Sequence, residues 1–383
     1  MNGRDILTEP KIILSDFIYR QPATSTKSLE KHLHAAVKWL LQAQQVNDDG
    51  GIAASYKMIL GKWAFSYPET TGYTIPTLLA YARQYERPDI VEAALRMADY
   101  ELSVQLPEGG IPCLQNQPGD KIWPVAFDTG QVLFGLFAAH DVTSDYRYLK
   151  SASRAGEWLV AQQTPEGYWL DYHTQGSLQA IDARVAWPLL LLYNRTGEFR
   201  FKDAARIQLE WVLKQQLANG WFNHCSFSPN GPTITHTIAY TVEGLLESGL
   251  ILGEERYISA AKTAADVLQN LVNQSGFLAG AFDNDWNPTV SWCCLPGSVQ
   301  MARVWLRLGE ITGKPAYYKT AEQVIRFVAA TQRLDGMPDG IYGGIAGSWP
   351  IYGKYMRLKY PNWAANFFVD AILRLQGHKG TVN

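Results

Sequence analysis

QAQQVNDDGG at residues 42–51 and KQQLANGWF at residues 214–222 are two copies of one punctuation mark: a helix-forming run ending in glutamine, then a turn that carries glycine. The mark returns as SVQLPEGG (103–110), AQQTPEGYW (161–169), VNQSGF (272–277) and ATQRLDG (330–336). Its glycines, Gly50, Gly109, Gly167, Gly220, Gly276 and Gly336, lie 59, 58, 53, 56 and 60 residues apart. Six evenly spaced copies identify an internal repeat, the signature of stacked supersecondary units. Glycine past a helix end supplies a left-handed C-cap at no steric cost.

Each unit reads the same way. The first helix is amphipathic: Leu29, Leu33, Ala36, Val37 and Leu40 fall at helical spacing with Lys and Glu between them. A loop of about 20 residues follows, rich in Gly, Pro, Trp and Tyr. The second helix is apolar nearly all round, as in 75–81, 132–139, 185–193 and 299–308. A helix apolar on every side is buried, whereas an amphipathic one faces water. Six alternations of outer and inner helix close into a double ring, an all-α (α/α)6 toroid. The ring spans residues 28–376, between an N-terminal arm (1–27) and a C-terminal tail (377–383). Connections from inner to outer helix are short, as at Glu86–Asp89 and Thr196–Glu198. The long ones all emerge on one face, and long loops in compact domains are commonly functional.

Composition narrows the chemistry. The 383 residues are 47% hydrophobic and 18% charged, enough to bury a large core. With 34 basic and 36 acidic residues spread evenly, no basic stripe exists to hold nucleic acid. No stretch approaches the roughly 18 apolar residues of a membrane span. The first 20 residues mix charges through any apolar run, which argues against a signal peptide. Four cysteines, Cys113, Cys225, Cys293 and Cys294, make no disulfide framework in so long a chain. A cytoplasmic protein without cofactor or bound metal is the resulting expectation; the oligomeric state is open. The 13 Trp and 20 Tyr suit a core, and they also suit a cleft that stacks flat ligands.

Aligning the starts of the inner helices superposes YPETTGY (67–73), AFDTGQ (126–131), AIDARV (180–185), ITHTIAY (234–240), SWCCLP (291–296) and YPNW (360–363). Glu69, Asp128, Asp182, His236, Cys293 and Asn362 then occupy one level of the ring, around one axial cavity. Capping is the competing reading for Asp128 and Asp182; Asp128 with Gln131 three residues later has the form of a capping box. Pro76, Pro188 and Pro296 would mark first helical turns. Glycoside cleavage needs one protonated and one ionised carboxyl flanking the bond, and burial beside aromatics separates two such pKa values. Glu69, Asp128 and Asp182 are the candidates. His236 is a general base by its ordinary pKa, although a lone histidine at a helix start is more often structural.

Around the cavity the units supply Trp63, Tyr67, Tyr73, Trp123, Gln131, Tyr172, His173, Arg184, Tyr240, Trp292, Trp349, Tyr352 and Trp363 as substrate contacts, with Asp283, Asp285 and Trp286 from one loop. Asx-turns account equally well for such aspartates. The last loop, 340–360, carries Lys354, Arg357 and Lys359 and reads as a lid for an acidic substrate.

Six α/α hairpins with aromatics and carboxylates at the loop face resemble the six-hairpin glycosidase superfamily, from about residue 28 to residue 376. SYPETTGY, HTIAYTVEGLLESG and SWCCLPGSVQMARVWLRLGEITG are similar to toroid proteins of bacterial polysaccharide gene clusters. The resemblance implies a carbohydrate-active enzyme that cleaves a glycosidic bond in an oligo- or polysaccharide. It leaves open a uronate lyase or sugar epimerase, using His236 with Tyr73 or Tyr240, and a non-catalytic glycan-binding scaffold with carboxylates more than about 10 Å apart. The Gln-then-Gly-Trp punctuation also looks like terpene cyclases, but their acid motif is absent: Asp283-Asn284-Asp285-Trp286 departs at its last position. SWCCLPG resembles the zinc segment of lanthionine synthetase cyclases, whose Cys-His-Gly partner is replaced by Asn362-Trp363.

Overall fold

The computed structural model describes residues 8–18, 22, 25–113, 122–172 and 176–382. Its helices are α1 (Thr8–Ile18), followed by six hairpins: α2 (Leu29–Gln45) with α3 (Pro68–Gln84), α4 (Pro88–Val104) with α5 (Ala126–Thr143), α6 (Tyr146–Gln162) with α7 (Ala183–Thr196), α8 (Phe199–Lys214) with α9 (Thr235–Leu252), α10 (Glu255–Leu271) with α11 (Leu295–Thr312), and α12 (Pro315–Thr331) with α13 (Asn362–Val382). Each odd helix from α3 packs on the next odd one, and α13 returns to α3. The even helices form the outer layer. Outer-to-inner connections run 20 to 30 residues and inner-to-outer ones two or three. All six long loops therefore share one face.

The repeat mark has a physical cause that its spacing alone does not reveal. All six glycines have positive φ, from 64° to 108°. They stand five or six residues beyond the outer helix rather than at its C-cap, closing turns such as Gly109 N–H to Leu106 O at 2.9 Å and Gly167 N–H to Thr164 O at 2.9 Å. The glutamine side chain then donates twice, to the turn and to the neighbouring outer helix. Gln44 reaches Gly50 O and Ala93 O, Gln105 reaches Gly109 O and Ser151 O, Gln163 reaches Gly167 O and Ala204 O, and Gln216 reaches Gly220 O and Ala260 O. Gln332 closes the ring by donating to His32 O and Gly343 O. True left-handed C-caps occur on the inner helices, at Ser144, Gly197, Gly253 and Gly313.

Gln163→Ala would leave two backbone carbonyls without this donor. A net hydrogen bond contributes about 1 kcal/mol, so a loss of about 1–2 kcal/mol in a urea melt is expected, with no change in helix content. Gln274, in the one copy that lacks the clasp, should tolerate alanine.

The inner ring is tight because small residues face one another. A Cβ on Gly72 would come within 2.5 Å of Val132 Cα, and one on Gly297 within 2.4 Å of His236 N. Strand Ser55–Lys57 of the first loop pairs antiparallel with Lys359–Pro361 of the last, which fastens the loop face across the closure. Helix α1 docks there too: Asp16 pairs with Arg333 and accepts the Ile351 N–H at 3.0 Å. Among the described residues no helix is long and apolar enough to cross a membrane.

Candidate active site

The level of polar residues inferred from the repeat stands at the loop-face ends of the inner helices. Glu69 is the second residue of α3, Asp128 the third of α5, His236 the second of α9 and Asn362 the first of α13. Asp182 ends a single 3-10 turn that leads into α7, and Cys293 just precedes α11. The helix starts differ in register from the sequence pattern. Helix α5 begins at Ala126 after the N-cap Val125, so Asp128 is inside the first turn rather than its cap. Gln131 makes no capping box; it accepts from Arg184 Nε at 2.7 Å across the ring. Asp182 likewise does not cap α7 with its side chain. Pro296 does mark a first turn, but Pro76 and Pro188 sit inside α3 and α7, and Pro68 begins α3.

Glu69 and Asp128 lie near each other and near the Tyr67 hydroxyl, which favours the charged form of both. Glu69 is half-buried, whereas Asp128 is only 3% exposed. Burial pushes Glu69 up to about 7, against hydrogen bonds from Tyr67 and Tyr240 and the Arg184 charge, which favour the ionised form. Asp128 is raised well above the usual carboxylate range by burial and then by the Glu69 charge, with Tyr67 opposing. Its Oδ2 has no hydrogen-bond partner among the described residues. Behind it, on α4, Glu101 is fully buried, neither oxygen has a hydrogen-bond partner among the described residues, and burial followed by the Asp128 charge raises it as well.

Tyr240 and Tyr73 lie next to this pair, close enough for the Glu69 charge to act on both. His236 is buried, its Nδ1 against Gln300 Oε1. Burial pushes it down to about 3, with the Arg184 charge acting the same way and the Gln300 hydrogen bond opposing. Its ring lies 4.4 Å from that of Tyr240 and 5.4 Å from Tyr355. Tyr355 comes from the last loop, accepts Trp363 Nε1–H at 3.1 Å, and lies close enough to feel the Glu69 charge. The loop read as a lid thus reaches the site through a tyrosine, while Lys354 and Arg357 are exposed.

Arg184 is a buried cation in contact with this cluster. It pairs with Glu243 and lies among the rings of Phe134, Trp187, Tyr240 and Phe367 at 5.3 to 5.7 Å. Burial and then Arg303 push it down to about 10.

Other expected contacts go elsewhere. Asp283 accepts the N–H groups of Asp285 and Asn287 in an Asx-type turn. Trp286 packs on Trp221 at 5.1 Å and donates to Asn219 O. Trp63 packs on Trp39 and Tyr56, Tyr172 on Trp158, and Trp349 on Phe327. Trp292 is buried against Cys294 and Ala281, with Tyr355 alongside. Trp123 and Tyr352 are half-buried, and His173 lies outside the described residues. Tyr355, Gln300, Glu243, Arg303 and Glu101 are the polar groups that the sequence reading missed. The thiols of Cys225 and Cys293 are pushed up to about 12 by burial and bond to Thr241 and Ser298.

Residues 128–295 match the family model described as the ulvan lyase N-terminal domain. A copalyl diphosphate synthase from Streptomyces cyslabdanicus is 33% identical over 120 residues, 31% of this chain and only 20% of that protein's length. Whole-chain similarity is structural. An unsaturated glucuronyl hydrolase specific for heparin superposes with a TM-score of 0.74 at 17% identity, covering 92% of this chain and 98% of the other. A cellobiose 2-epimerase from Bacillus thermoamylovorans B4167 gives 0.69 at 12% identity, covering 90% and 97%. Sixfold hairpins, a closed inner ring and six long loops on one face make this chain an (α/α)6 toroid, the fold it shares with these structures.

Proposed function

We propose that the protein is a carbohydrate-active enzyme that cleaves a glycosidic bond by general acid/base catalysis, with Glu69 and Asp128 as the reacting carboxyls. The observation that carries this is the nearness of two buried carboxyls: the Glu69 charge raises Asp128, and the Tyr67 hydroxyl acts on both. Glycoside hydrolysis needs such a close pair, whereas a binding scaffold would permit a wider spacing. Glu69 receives two hydroxyl donors and a nearby guanidinium, so it is the ionised member, base or nucleophile. Asp128 is more deeply buried and repelled by Glu69, so it keeps the proton. Asp182 and His236 serve as positioning groups beside them. His236, held neutral, orients Tyr240 and Tyr355 rather than taking a proton. The ligand class follows from the aromatic mouth of Tyr355 and Trp363, with Trp292 behind it.

The test is a pair of variants, Glu69→Gln and Asp128→Asn, assayed on oligosaccharide panels with binding measured separately. Retained binding with lost turnover is expected for both. Normal binding and normal turnover in both would end this reading. The epimerase or lyase alternative draws support from the two tyrosines, Tyr73 and Tyr240, that lie near Glu69. Product analysis separates the three: a new reducing end, an inverted carbon, or an unsaturated sugar.

A further inference from the structure

The outer helices share a core position one helical turn before the clasping glutamine. Leu40, Leu159, Val212 and Val328 occupy it in four units, each four residues before Gln44, Gln163, Gln216 and Gln332. Leu268 occupies it in the unit where Val272 stands in place of the glutamine. All five are fully buried. In the remaining unit the residue is Glu101, four before Gln105, and it is just as fully buried. An acid therefore stands where the repeat otherwise puts leucine or valine. Neither of its oxygens has a hydrogen-bond partner among the described residues, although buried polar groups are normally paired. A carboxyl in such a place keeps its proton, because an unpaired charge there is far more costly than a neutral group.

The chain brings this end of α4 to the candidate acid. Gln105, one turn after Glu101, holds Gly109 O. Two residues beyond that glycine, Ile111 is fastened to the start of α5: its N–H donates to Thr129 Oγ1 at 2.9 Å and its carbonyl accepts the Val125 N–H at 2.9 Å. Asp128 lies in that same first turn, and its charge acts on Glu101. Asp128 Oδ2, too, has no hydrogen-bond partner among the described residues. Helices α2, α3, α5 and α6 pack on α4, and their ionisable groups are engaged elsewhere. On α6, Arg147 pairs with Asp99 and Asp145, Tyr148 donates to Asp99, and Arg154 donates to Gln105, Leu106 and Pro107. On α3, Glu69 acts on Asp128; on α2, His34 is bonded to Tyr81. Tyr100, beside Glu101 on α4, would be repelled by a charge there.

We propose that Glu101 is a positioning residue for Asp128: neutral in its aliphatic socket, it offers the O–H that stabilises the Asp128 carboxylate formed each time the acid gives its proton away. A protonated carboxyl is a donor as well as an acceptor, and a carboxylic acid kept neutral by an apolar site can serve as that donor. Donation to the ionised form makes the partner a stronger acid. The order of ionisation agrees, since a charge on Asp128 holds the proton on Glu101. The inference rests on the acid role proposed for Asp128, but its test reads protonation and folding rather than turnover.

The test compares the whole protein with Glu101→Leu and Glu101→Gln by infrared titration and by urea melts across pH. The protonated-carboxyl band of Asp128 is the one that Asp128→Asn removes. Its midpoint is expected to rise by about one pH unit in Glu101→Leu, the scale of one hydrogen bond to a charged group. It should stay in place in Glu101→Gln, whose amide still donates. The melts follow from linkage. Glu101 is neutral when folded and ionises when unfolded, so its contribution to stability is complete below the unfolded pKa and falls as the pH rises towards the raised folded one. Glu101→Leu restores the aliphatic residue of the other units, so it should be more stable than the wild type. The ratio of the two unfolding constants should widen about tenfold per pH unit above about pH 5. A ratio that stays constant from pH 5 to 8 would show that Glu101 is already ionised in the fold, and overturns the inference. So does an Asp128 band that stays in place in Glu101→Leu, or one that moves as far in Glu101→Gln. Both shifts in a protein without glycan turnover would end the acid role of Asp128 and leave the pairing of the two carboxyls standing.

Discussion

Glu69→Gln is expected to lower glycan turnover by about 10²- to 10⁴-fold, the range supplied by a positioned acid or base, with the melting curve close to that of the wild type. Glutamine keeps the shape of the side chain and one acceptor oxygen for the Tyr67 and Tyr240 hydroxyls, which now donate to the carboxylate. It removes a carboxyl that burial has already pushed up to about 7, so nothing stabilising is lost from the charge itself. The pH dependence gives the sharper test. If ionised Glu69 is the working form, wild-type kcat/KM rises with pH and levels off as the pH passes about 7. It falls again only where Asp128 loses its proton, at a pH set by a carboxyl raised well above its ordinary range. The profile is then a bell reporting the free enzyme's base and acid. Asp128→Asn should keep the acid limb and lose the alkaline one. A wild-type rate that is flat between pH 5 and 9 would refute the assignment, whatever the single mutants do.

The ring was legible in the sequence because its cause is local and repeated. Each long loop leaves an outer helix through a turn that only a left-handed residue closes, and six glycines report it. The paired glutamines reported it as well, but their reason was not legible. Gln44, Gln105, Gln163, Gln216 and Gln332 clasp the next outer helix, a contact between units more than 40 residues apart. The level of Glu69, Asp128, Asp182 and His236 was legible because inner helices begin at equivalent points. Helix register was not: α5 starts at Ala126, two residues before the apparent cap, because a buried helix start needs no side-chain cap when Thr129 Oγ1 and the Ile111 N–H satisfy its neighbourhood.

What stayed hidden is polar chemistry inside apolar sequence. Glu243, Gln300 and Arg303 sit within runs that read as core, and they are core, but their polar ends pair with Arg184, His236 and Asp370 on neighbouring inner helices. A single sequence gives no sign of which polar groups on two buried helices will meet. Tyr355 is hidden for the opposite reason. It belongs to a loop whose cations drew attention, while the chain folds back so that the tyrosine reaches His236 and Trp363.

Arg184 joins these two worlds, and Arg184→Met is expected to have the largest combined effect on stability and pH behaviour. Methionine fills much of the same space among Phe134, Trp187, Tyr240 and Phe367, so the loss is mainly of charge and hydrogen bonds. Glu243 would keep Arg303 at 2.8 Å but lose its other guanidinium, and Gln131 would lose the Nε donor. Removing one partner of a buried pair costs about 3–5 kcal/mol because the remaining charge is stranded; with Arg303 still in place, the low end of that range is the expected drop in a urea melt. Adding Glu243→Gln to Arg184→Met should cost less than the two separate losses together, since each single change strands a charge that the double change removes. The sign of the functional effect is fixed independently. Arg184 favours ionised Glu69, so without it the carboxyl rises further above about 7 and the acid limb of the rate profile moves to higher pH. A stability loss with an unmoved limb would make Arg184 a strut of the ring and nothing more; a moved limb ties the buried ion chain of the axis to the proton inventory of the site.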